Sequence, residues 1–510
     1  MRVGDILSGN ARRCPERTAW RFAGRDWTWR EANARVNRAA NALSAAGLAP
    51  QDRVAILADN SHRLAELYFA LAKANLVAVP INPRSVAREI DFVLAEAGAR
   101  ALLVSDALAG RLDGVAADLS RLACLAGMGE GHGLPRDWDA MLDAAADTEP
   151  AAGFADTAIR AIKFTSGTTG APKGVISTHR QYVFAVLNYL LQTPFGGDER
   201  CLVFLPLTAG VGIQMLTAYA YRACPTLILP RFDAEAVLDT VERERITRLF
   251  AVPTALGALA DAQAARPRDL ASVRLIEYGG APAPVALMRR VAATLAVPLS
   301  QVYGSSECGG LITFLAPDDH ARLLARPAAG EGEPLACGRE AQGYHIRLIG
   351  EDGREAPPGA VGEMAVKAET LMSGYWNRPE LTAEVLRDGW LYTGDLARRD
   401  AEGFFTIVDR RRDMIITAGY NVYSAEVEAA IAEHPGVAEV AVIGAPDPRR
   451  GEAVVACIVP RPGAALDEAA LAGFCERNLA GHKRPRRFRF LDALPKTSSG
   501  KVRKVELRGE

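Results

Sequence analysis

Residues 164–173, FTSGTTGAPK, combine the groups that could bind phosphate. They follow the apolar run 159–164, which is typical of a strand. Glycine N–H groups, hydroxyl groups and a mobile cation are what a phosphate cradle requires. The stretch is not a Walker A loop, which needs four residues between its glycines and a lysine directly after the second. A glycine- and threonine-rich surface turn would share part of this composition. The candidate phosphate-binding residues are Thr165, Ser166, Gly167, Thr168, Thr169, Gly170 and Lys173.

The elements that must position this loop follow an alternating pattern. Apolar, β-branched runs at 53–59, 99–106, 247–253 and 273–280 alternate with stretches of helix length. Buried strands that alternate with helices indicate α/β layers with largely parallel sheets. The sequence therefore predicts the α/β fold class for the larger part of the chain.

The pattern changes in the last third of the chain. From about residue 338 the strands are more closely spaced, which predicts an antiparallel sheet or a small barrel-like subdomain. After the charged run 409–413, an α+β pattern occupies the last hundred residues. We expect a large N-terminal domain, 1–410, and a small, mobile α+β domain, 411–510.

Composition excludes several classes of protein. The chain has 510 residues, which predicts about three structural units. Its 60 basic and 61 acidic residues give a formal net charge of −1, so neither a nucleic acid nor an anionic membrane is indicated as a partner. The eight cysteines are scattered without a CxxC pair, which disfavours a zinc site and favours a reducing compartment, the cytoplasm.

Neither a signal peptide nor a membrane span is predicted. Charged residues interrupt the first twenty positions. The uncharged segment 201–221 could span a bilayer by length. Proline, glycine and glutamine residues interrupt it, so we interpret it as a buried strand, a turn and a core helix.

The complete loop sequence resembles the AMP-binding signature of the adenylate-forming superfamily. That superfamily contains acyl-CoA synthetases, the adenylation domains of peptide synthetases, and luciferases. The resemblance covers nearly the whole chain, and seven further motifs follow in the family's order. They are GGAP (279–282), YGSSE (303–307), GAVGE (359–363), GYWNRPELT (374–382), YTGD (392–395), DRRRDMIITAGYNVYSAEVE (409–428) and PKTSSGK (495–501).

The resemblance implies an ATP-dependent acid–thiol ligase. A carboxylate attacks the α-phosphorus of ATP to give acyl-AMP and pyrophosphate, and a thiol then displaces AMP. Because the chain leaves no room for a carrier domain after the last motif, free coenzyme A is the expected thiol. The phosphopantetheine of a separate carrier protein is the alternative. A nucleotide-binding regulator without catalysis and a luciferase-like mono-oxygenase are disfavoured. A homodimer fits a chain of this kind, although no residue pattern demonstrates one.

The resemblance also assigns roles to single residues. Lys501 would be the adenylation lysine and Lys173 would bind the leaving pyrophosphate, with Thr165 and Glu307 as further catalytic groups. Glu307 would also reach the Mg2+ bound to ATP. Tyr303 would pack on adenine, whereas Asp395 and Arg410 would bind the ribose. Nucleotide or coenzyme A contacts are also implied for Gly280, Ala281, Pro282, Gly304, Ser305, Ser306, Gly419 and Tyr420, the last two near the thiol tunnel.

Two positions depart from the family's pattern. Arg412 occupies the hinge position, where the family usually has Asp or Lys. Thr208 and Ala209 replace a more common aromatic–His pair, which would leave the acyl site more open.

The acyl pocket is expected from three segments, namely the helix after the phosphate loop, 208–214 and 278–281. Its predicted lining is Thr208, Ala209, Gly210, Tyr278, Gly279 and Gly280. No acidic residue in 205–214 could pair with an α-ammonium, which disfavours an amino acid. The apolar lining favours an aliphatic or aryl monocarboxylate. Arg222 or Arg231 could alternatively hold a second carboxylate.

Overall fold

The structure of the chain is a computed structural model. It describes residues 2–151, 153–165, 172–193, 195–281, 283–326, 334–418, 420–464, 466–496 and 502–509.

The larger part of the chain, up to residue 340, contains sixteen strands and eleven α-helices within these described ranges. The strands are β1 (Thr18–Phe22), β2 (Arg25–Thr28), β3 (Arg53–Leu57), β4 (Val77–Ile81), β5 (Ala101–Ser105), β6 (Cys124–Met128), β7 (Arg136–Asp137), β8 (Ile159–Thr165), β9 (Lys173–Thr178), β10 (Cys201–Val203), β11 (Thr226–Ile228), β12 (Arg248–Ala251), β13 (Leu275–Gly279), β14 (Leu299–Ser305), β15 (Gly310–Leu315) and β16 (Arg339–Glu340). The helices are α1 (Asp5–Arg13), α2 (Trp29–Ala45), α3 (His62–Lys73), α4 (Ala87–Ala97), α5 (Trp138–Asp143), α6 (His179–Gln192), α7 (Gly210–Tyr221), α8 (Ala234–Glu244), α9 (Pro253–Ala265), α10 (Val285–Leu295) and α11 (Pro317–Ala325).

A smaller antiparallel region follows. It consists of β17 (Tyr344–Ile349), β18 (Val361–Ala368), β19 (Gly374–Tyr375), α12 (Pro379–Val385), β20 (Leu386–Arg387), β21 (Trp390–Arg399) and β22 (Phe405–Arg410). The C-terminal part consists of β23 (Ile415–Thr417), β24 (Tyr420–Val422), α13 (Ser424–Ala432), β25 (Val437–Asp447), β26 (Gly451–Pro460), α14 (Glu468–Asn478), β27 (Arg487–Phe490) and α15 (Lys504–Arg508).

The strands form four sheets in the described part of the chain. The first has the order β16-β15-β14-β13-β12-β10-β11-β1-β2 and the second β19-β9-β8-β4-β3-β5-β6-β7. Their central strands are parallel. The third sheet joins β17, β18, β20, β21 and β22, and the fourth joins β23 to β27. The predicted α/β class, with an appended β-subdomain and an α+β C-terminal part, is confirmed.

The core between the two large sheets is rich in aromatic side chains. Trp20 and Trp29 pack edge to face with ring centroids 5.5 Å apart, and Phe69 stacks on Trp20 at 6.0 Å. Residues 201–221 fold as β10, a turn and the buried helix α7, as the sequence predicts. No helix of the described residues has the length and apolar character needed to cross a membrane.

The predicted boundary near 410–413 falls between β22 and β23, which lie in different sheets. A buried contact crosses it. The buried carboxylate of Asp409 in β22 accepts hydrogen bonds from the N–H and the hydroxyl of Ser424, the first residue of α13, the latter at 2.8 Å. Lys504 donates to the same hydroxyl at 2.7 Å. That the parts on either side move as separate domains stays a prediction.

Candidate active site

A cavity of about 1310 Å³ lies where β8, β14, β21 and α13 approach one another. Ligands of α/β proteins commonly bind beyond the carboxyl ends of parallel strands, where β8, β13 and β14 end here. The cavity is lined by many of the predicted residues, namely Thr165, Lys173, Gly280, Ala281, Tyr303, Gly304, Ser305, Ser306, Glu307, Asp395, Arg410 and Arg412.

Other predicted site residues lie outside the described residues. They are Ser166, Gly167, Thr168, Thr169, Gly170, Pro282, Gly419 and Lys501. Their roles stay predictions from the resemblance. The described residues on either side of the loop, Thr165 and Lys173, are paired between β8 and β9, so the loop starts and ends at the cavity.

Tyr375 connects two predicted catalytic groups at the loop end of the cavity. Its hydroxyl donates to Glu307 Oε1 at 3.2 Å, and Lys173 Nζ lies 5.2 Å from the centre of its ring. Burial, with the nearby Glu307 carboxylate, raises the pKa of Tyr375, so the phenol stays protonated and remains a donor. Tyr375 lies within the motif GYWNRPELT, but the sequence alone does not predict its contact with Glu307.

Replacing Tyr375 with phenylalanine tests this connection. The variant keeps the ring beside Lys173 and removes only the hydrogen bond to Glu307. We expect acyl-AMP formation to fall about 3- to 10-fold, the effect of one ordinary hydrogen bond, with little change in Tm. Single-turnover release of pyrophosphate measures it. A Tyr375→Leu variant should lose more, and an unchanged rate in Tyr375→Phe would remove the hydroxyl from the site.

The cavity lining also brings together three predicted nucleoside contacts. Tyr303 donates its hydroxyl to Asp395 Oδ2 at 2.5 Å, and Arg410 Nε lies 3.3 Å from Asp395 Oδ1. The antiparallel pairing of β21 and β22 places Asp395 opposite Arg410. Burial and the adjacent carboxylate raise the pKa of Tyr303, so the phenol remains the donor. The arrangement leaves a charged, planar Arg410 and an aromatic ring at one cavity wall.

The predicted acyl pocket residues of β13 do not all face the same side of the strand. Gly279 ends β13 where a Cβ would lie 2.3 Å from the carbonyl oxygen of Val302, so only glycine fits this close approach to β14. Side chains alternate along a strand, and the buried Tyr278 therefore points to the opposite face. There its hydroxyl is hydrogen-bonded to His320 Nε2 at 2.8 Å and to Gln301 at 3.1 Å. Tyr278 thus supplies no side chain to a pocket beside Gly279.

Thr208 and Ala209 lie in the turn before α7, which begins at Gly210, and Ala209 is exposed. Arg222 and Arg231 are exposed as well, so neither supplies the buried anchor considered for a second carboxylate.

The hinge candidate Arg412 follows β22, and 34% of its side chain is exposed. Its Nε lies 3.8 Å from Asp413 Oδ2, and burial lowers its pKa, although the guanidinium stays charged. Arg508 of α15 donates to the carbonyl of Arg412 at 3.4 Å and pairs with Asp413 at 3.0 Å. The segment at the hinge is therefore held by the C-terminal helix in this arrangement.

The C-terminal part presents one of its two candidate regions to the cavity. Val502, next to Lys501, lines the cavity. Tyr420 is 58% exposed and its ring lies 4.9 Å from that of His482. The structure thus does not bring Tyr420 to the nucleotide residues in this arrangement.

Comparison with known proteins adds the evidence for the family. The AMP-binding enzyme family matches residues 7–376, and the AMP-binding enzyme C-terminal domain matches residues 426–501. The chain belongs to the AMP-binding enzyme family. The family's two parts flank the predicted boundary.

Curated relatives cover the whole length. A feruloyl-CoA synthase from Amycolatopsis sp. is 40% identical over 99% of this chain and 98% of its own. An indoleacetate–CoA ligase from Aromatoleum aromaticum is 35% identical over 100% of this chain and 98% of its own. A solved structure is also similar: o-succinylbenzoate CoA synthetase from Bacillus subtilis, in complex with its acyl-adenylate intermediate, has a TM-score of 0.86 and 29% identity, covering 99% of this chain and 97% of that one.

These relatives confirm the predicted enzyme class. The chain is an AMP-forming acid–CoA ligase, which uses ATP and coenzyme A and works through an acyl adenylate. Transfer to a carrier protein is not favoured.

Proposed function

We propose that the enzyme activates an aryl or aliphatic monocarboxylic acid, and that the residues gathered in the large cavity carry both half-reactions. The single observation that supports this most is their placement. One cavity is lined by Lys173 and Glu307 and by the ion pair of Asp395 with Arg410.

In the first half-reaction, an oxygen of the acid attacks the α-phosphorus of ATP and pyrophosphate leaves. Asp395 accepts from the ribose hydroxyls, and Arg410, paired with Asp395, holds the same sugar. Lys173 neutralises charge on the departing pyrophosphate, and Lys501 does so at the reacting centre. Fixed cations aimed at developing charge stabilise a transition state more than they stabilise the substrate.

Glu307 fits the proposed Mg2+ site. Mg2+ is usually held by one or two carboxylates together with substrate phosphates. Among the described residues no three His, Cys, Asp or Glu side chains cluster to hold a metal by themselves. The single carboxylate of Glu307, oriented by Tyr375, suits an ion that arrives with ATP and that would neutralise its phosphates.

Removal of Mg2+ should therefore stop pyrophosphate release. Chelation with EDTA is expected to reduce it to background and added Mg2+ to restore it. Glu307→Gln should raise the half-saturating Mg2+ concentration, by on the order of tenfold, because a charged ligand is lost. Glu380→Gln, at an exposed position of α12, is the matched control. Equal Mg2+ titrations for Glu307→Gln and the wild type would exclude Glu307 from the site.

In the second half-reaction, the thiolate of coenzyme A attacks the acyl carbon, AMP leaves, and the thiol proton passes to solvent. We propose that the C-terminal domain, 411–510, turns about Arg412 so that the segment at Gly419 and Tyr420 replaces Lys501 at the cavity. In this structure Val502 lines the cavity and Tyr420 is exposed, which supports an arrangement for the first half-reaction.

We propose an aryl acid as the substrate class. Small residues at 208–210 and 279–280, which are predicted to line the acyl pocket, would leave room for a bulky acyl group. The two named relatives act on ferulate and on indoleacetate, which are aryl acids, and their similarity supports this choice.

A panel of acids tests the proposed class. We expect kcat/KM for arylpropenoic and arylacetic acids to exceed that for unbranched aliphatic acids, with amino acids inactive. A preference for long aliphatic acids would contradict the aryl assignment and leave the ligase activity intact.

The eight free cysteines, seven of them buried, support a reducing compartment, and we propose the cytoplasm.

A further inference from the structure

Lys163 is a charged residue on the inward side of β8, two positions before Thr165. Because side chains alternate along a strand, Lys163 and Thr165 face the same side. A Cβ built on Gly210 would lie 3.5 Å from Lys163 Nζ and 3.8 Å from Ser306 Oγ. The lysine ammonium, the start of α7 and the cavity-lining Ser306 therefore border one space.

This lysine lies deep in the protein but is still accessible. Burial, and secondly the charge of Arg160, lower its pKa to about 8, although Glu307 opposes the shift. The side chain nevertheless remains partly exposed. The side chain is therefore deep and still within reach of solvent. At neutral pH it is mostly protonated.

Lys163 has no counter-ion of its own within the part of the chain that the structure describes. It forms no hydrogen bond or salt bridge with a described residue, and Arg160, stacked 3.6 Å from the ring of Tyr182, is a second cation. An ammonium taken out of water without a partner is costly. A negatively charged ligand would remove this cost.

The start of α7 favours the same kind of ligand. The helix has 12 residues and begins at Gly210, and Ala209 supplies no side-chain cap. Its first N–H groups and its positive dipole end therefore point towards the space beside Lys163.

Gln214, one turn further along α7, gives a second observation. Its side chain is 4% exposed, and its Nε2 has no partner among the described residues. A Cβ on Gly310 would lie 3.0 Å from this nitrogen, and Gly310 pairs with the cavity residue Ser305. A buried amide donor without a partner again indicates a ligand with oxygen atoms beside β15.

We propose that Lys163 binds the carboxylate of the incoming acid, at the start of α7, before that carboxylate reacts with ATP. The inference rests on the proposed function. Because the side chains of Thr208 and Ala209 are small, the ammonium of Lys163 can reach the carboxylate. Larger side chains at these two positions would block this contact. The contact is strongest in the bound substrate, because the carboxylate loses its charge when acyl-AMP forms. Lys163 is thus a specificity residue that lowers KM for the acid, whereas Lys501 acts on the rate.

The test replaces Lys163 with methionine, which keeps the length of the side chain and removes the charge. We expect KM for the acid to rise on the order of 10- to 100-fold, as for a lost hydrogen bond to a charged group. KM for ATP and kcat should change less than about threefold, since binding alone is affected. Lys163→Arg should recover part of the affinity. Lys367→Met, at an exposed position of β18, is the matched control and should leave both KM values unchanged.

A second measurement keeps the inference testable if Lys163→Met folds poorly. Lys163→Gln should show the same rise, and Tm of each variant checks its folding. In the wild type, the primary amide of the best acid has the acid's shape without its charge. This amide should inhibit the wild type with a Ki well above the KM of the acid. The difference between Ki and KM should be smaller in the Lys163 variants.

A failure of the proposed function and a failure of the role of Lys163 give different results. A wild-type enzyme that releases no pyrophosphate with any acid would overturn the proposed function. An active Lys163→Met enzyme with an unchanged KM for the acid, or with a parallel rise in KM for ATP, would overturn the role of Lys163 alone.

Discussion

Acyl-AMP formation should fall about 100- to 1000-fold when Lys501 is replaced by alanine, the range found when one preorganised electrostatic group is removed from a site. The proposed role of Lys501 is to neutralise charge between the carboxylate and the α-phosphate as the bond forms. Thioester formation from supplied acyl-AMP should be nearly unchanged, since this step does not need a cation at that point. Single-turnover assays of the two half-reactions measure both effects.

The same motif provides the control for this variant. Lys496 lies five residues earlier and is paired with Glu439 at 2.6 Å on the surface, with 39% of its side chain exposed. Lys496→Ala should therefore retain both half-reactions. A loss of equal size in both half-reactions of Lys501→Ala would contradict the assignment of this lysine to adenylation.

Replacing Asp395 with alanine should lower kcat/KM for ATP on the order of 100-fold, with KM for the acid nearly unchanged. The carboxylate accepts from Tyr303 and lies beside Arg410. Its removal takes away the proposed ribose acceptor and leaves both neighbours without their acceptor. Hydrogen bonds to a charged group are worth more than neutral ones, and at least two are lost.

Two further variants make this result specific. Asp395→Asn keeps the shape and should show an intermediate effect, whereas Asp492→Ala, at an exposed position, should show none. Titration of ATP at saturating acid is the measurement. If Asp395→Ala raised KM for the acid and left KM for ATP unchanged, Asp395 would not bind the nucleotide.

The sequence was sufficient for the order of elements and for many of the cavity residues. The runs at 53–59 and 273–280 became β3 and β13, because a short β-branched stretch between helices has few alternatives to a buried parallel strand. Asp395 and Arg410 belong to motifs whose spacing fits two antiparallel strands, and the structure places them 3.3 Å apart.

Other features depended on contacts that local sequence does not encode. Tyr375 meets Glu307 because β19 pairs with β9, which lies about 200 residues earlier. The register of β13 decides to which side of the sheet Tyr278 points. Its neighbour Glu277 points to the opposite side and packs against α6. The sequence predicts only that Lys163 belongs to a strand, since nothing in the run 159–164 shows that this side chain lies close to the start of α7.

Pyrophosphate release with Mg-ATP and one accepted aryl acid, with and without coenzyme A, tests the central claim most directly. We predict a single burst of about one pyrophosphate per enzyme without coenzyme A, since acyl-AMP stays bound, and sustained turnover once coenzyme A is added. The acyl-CoA formed should equal the AMP released. Sustained turnover that coenzyme A does not change, or a burst that it does not relieve, would contradict the account of an acid–CoA ligase.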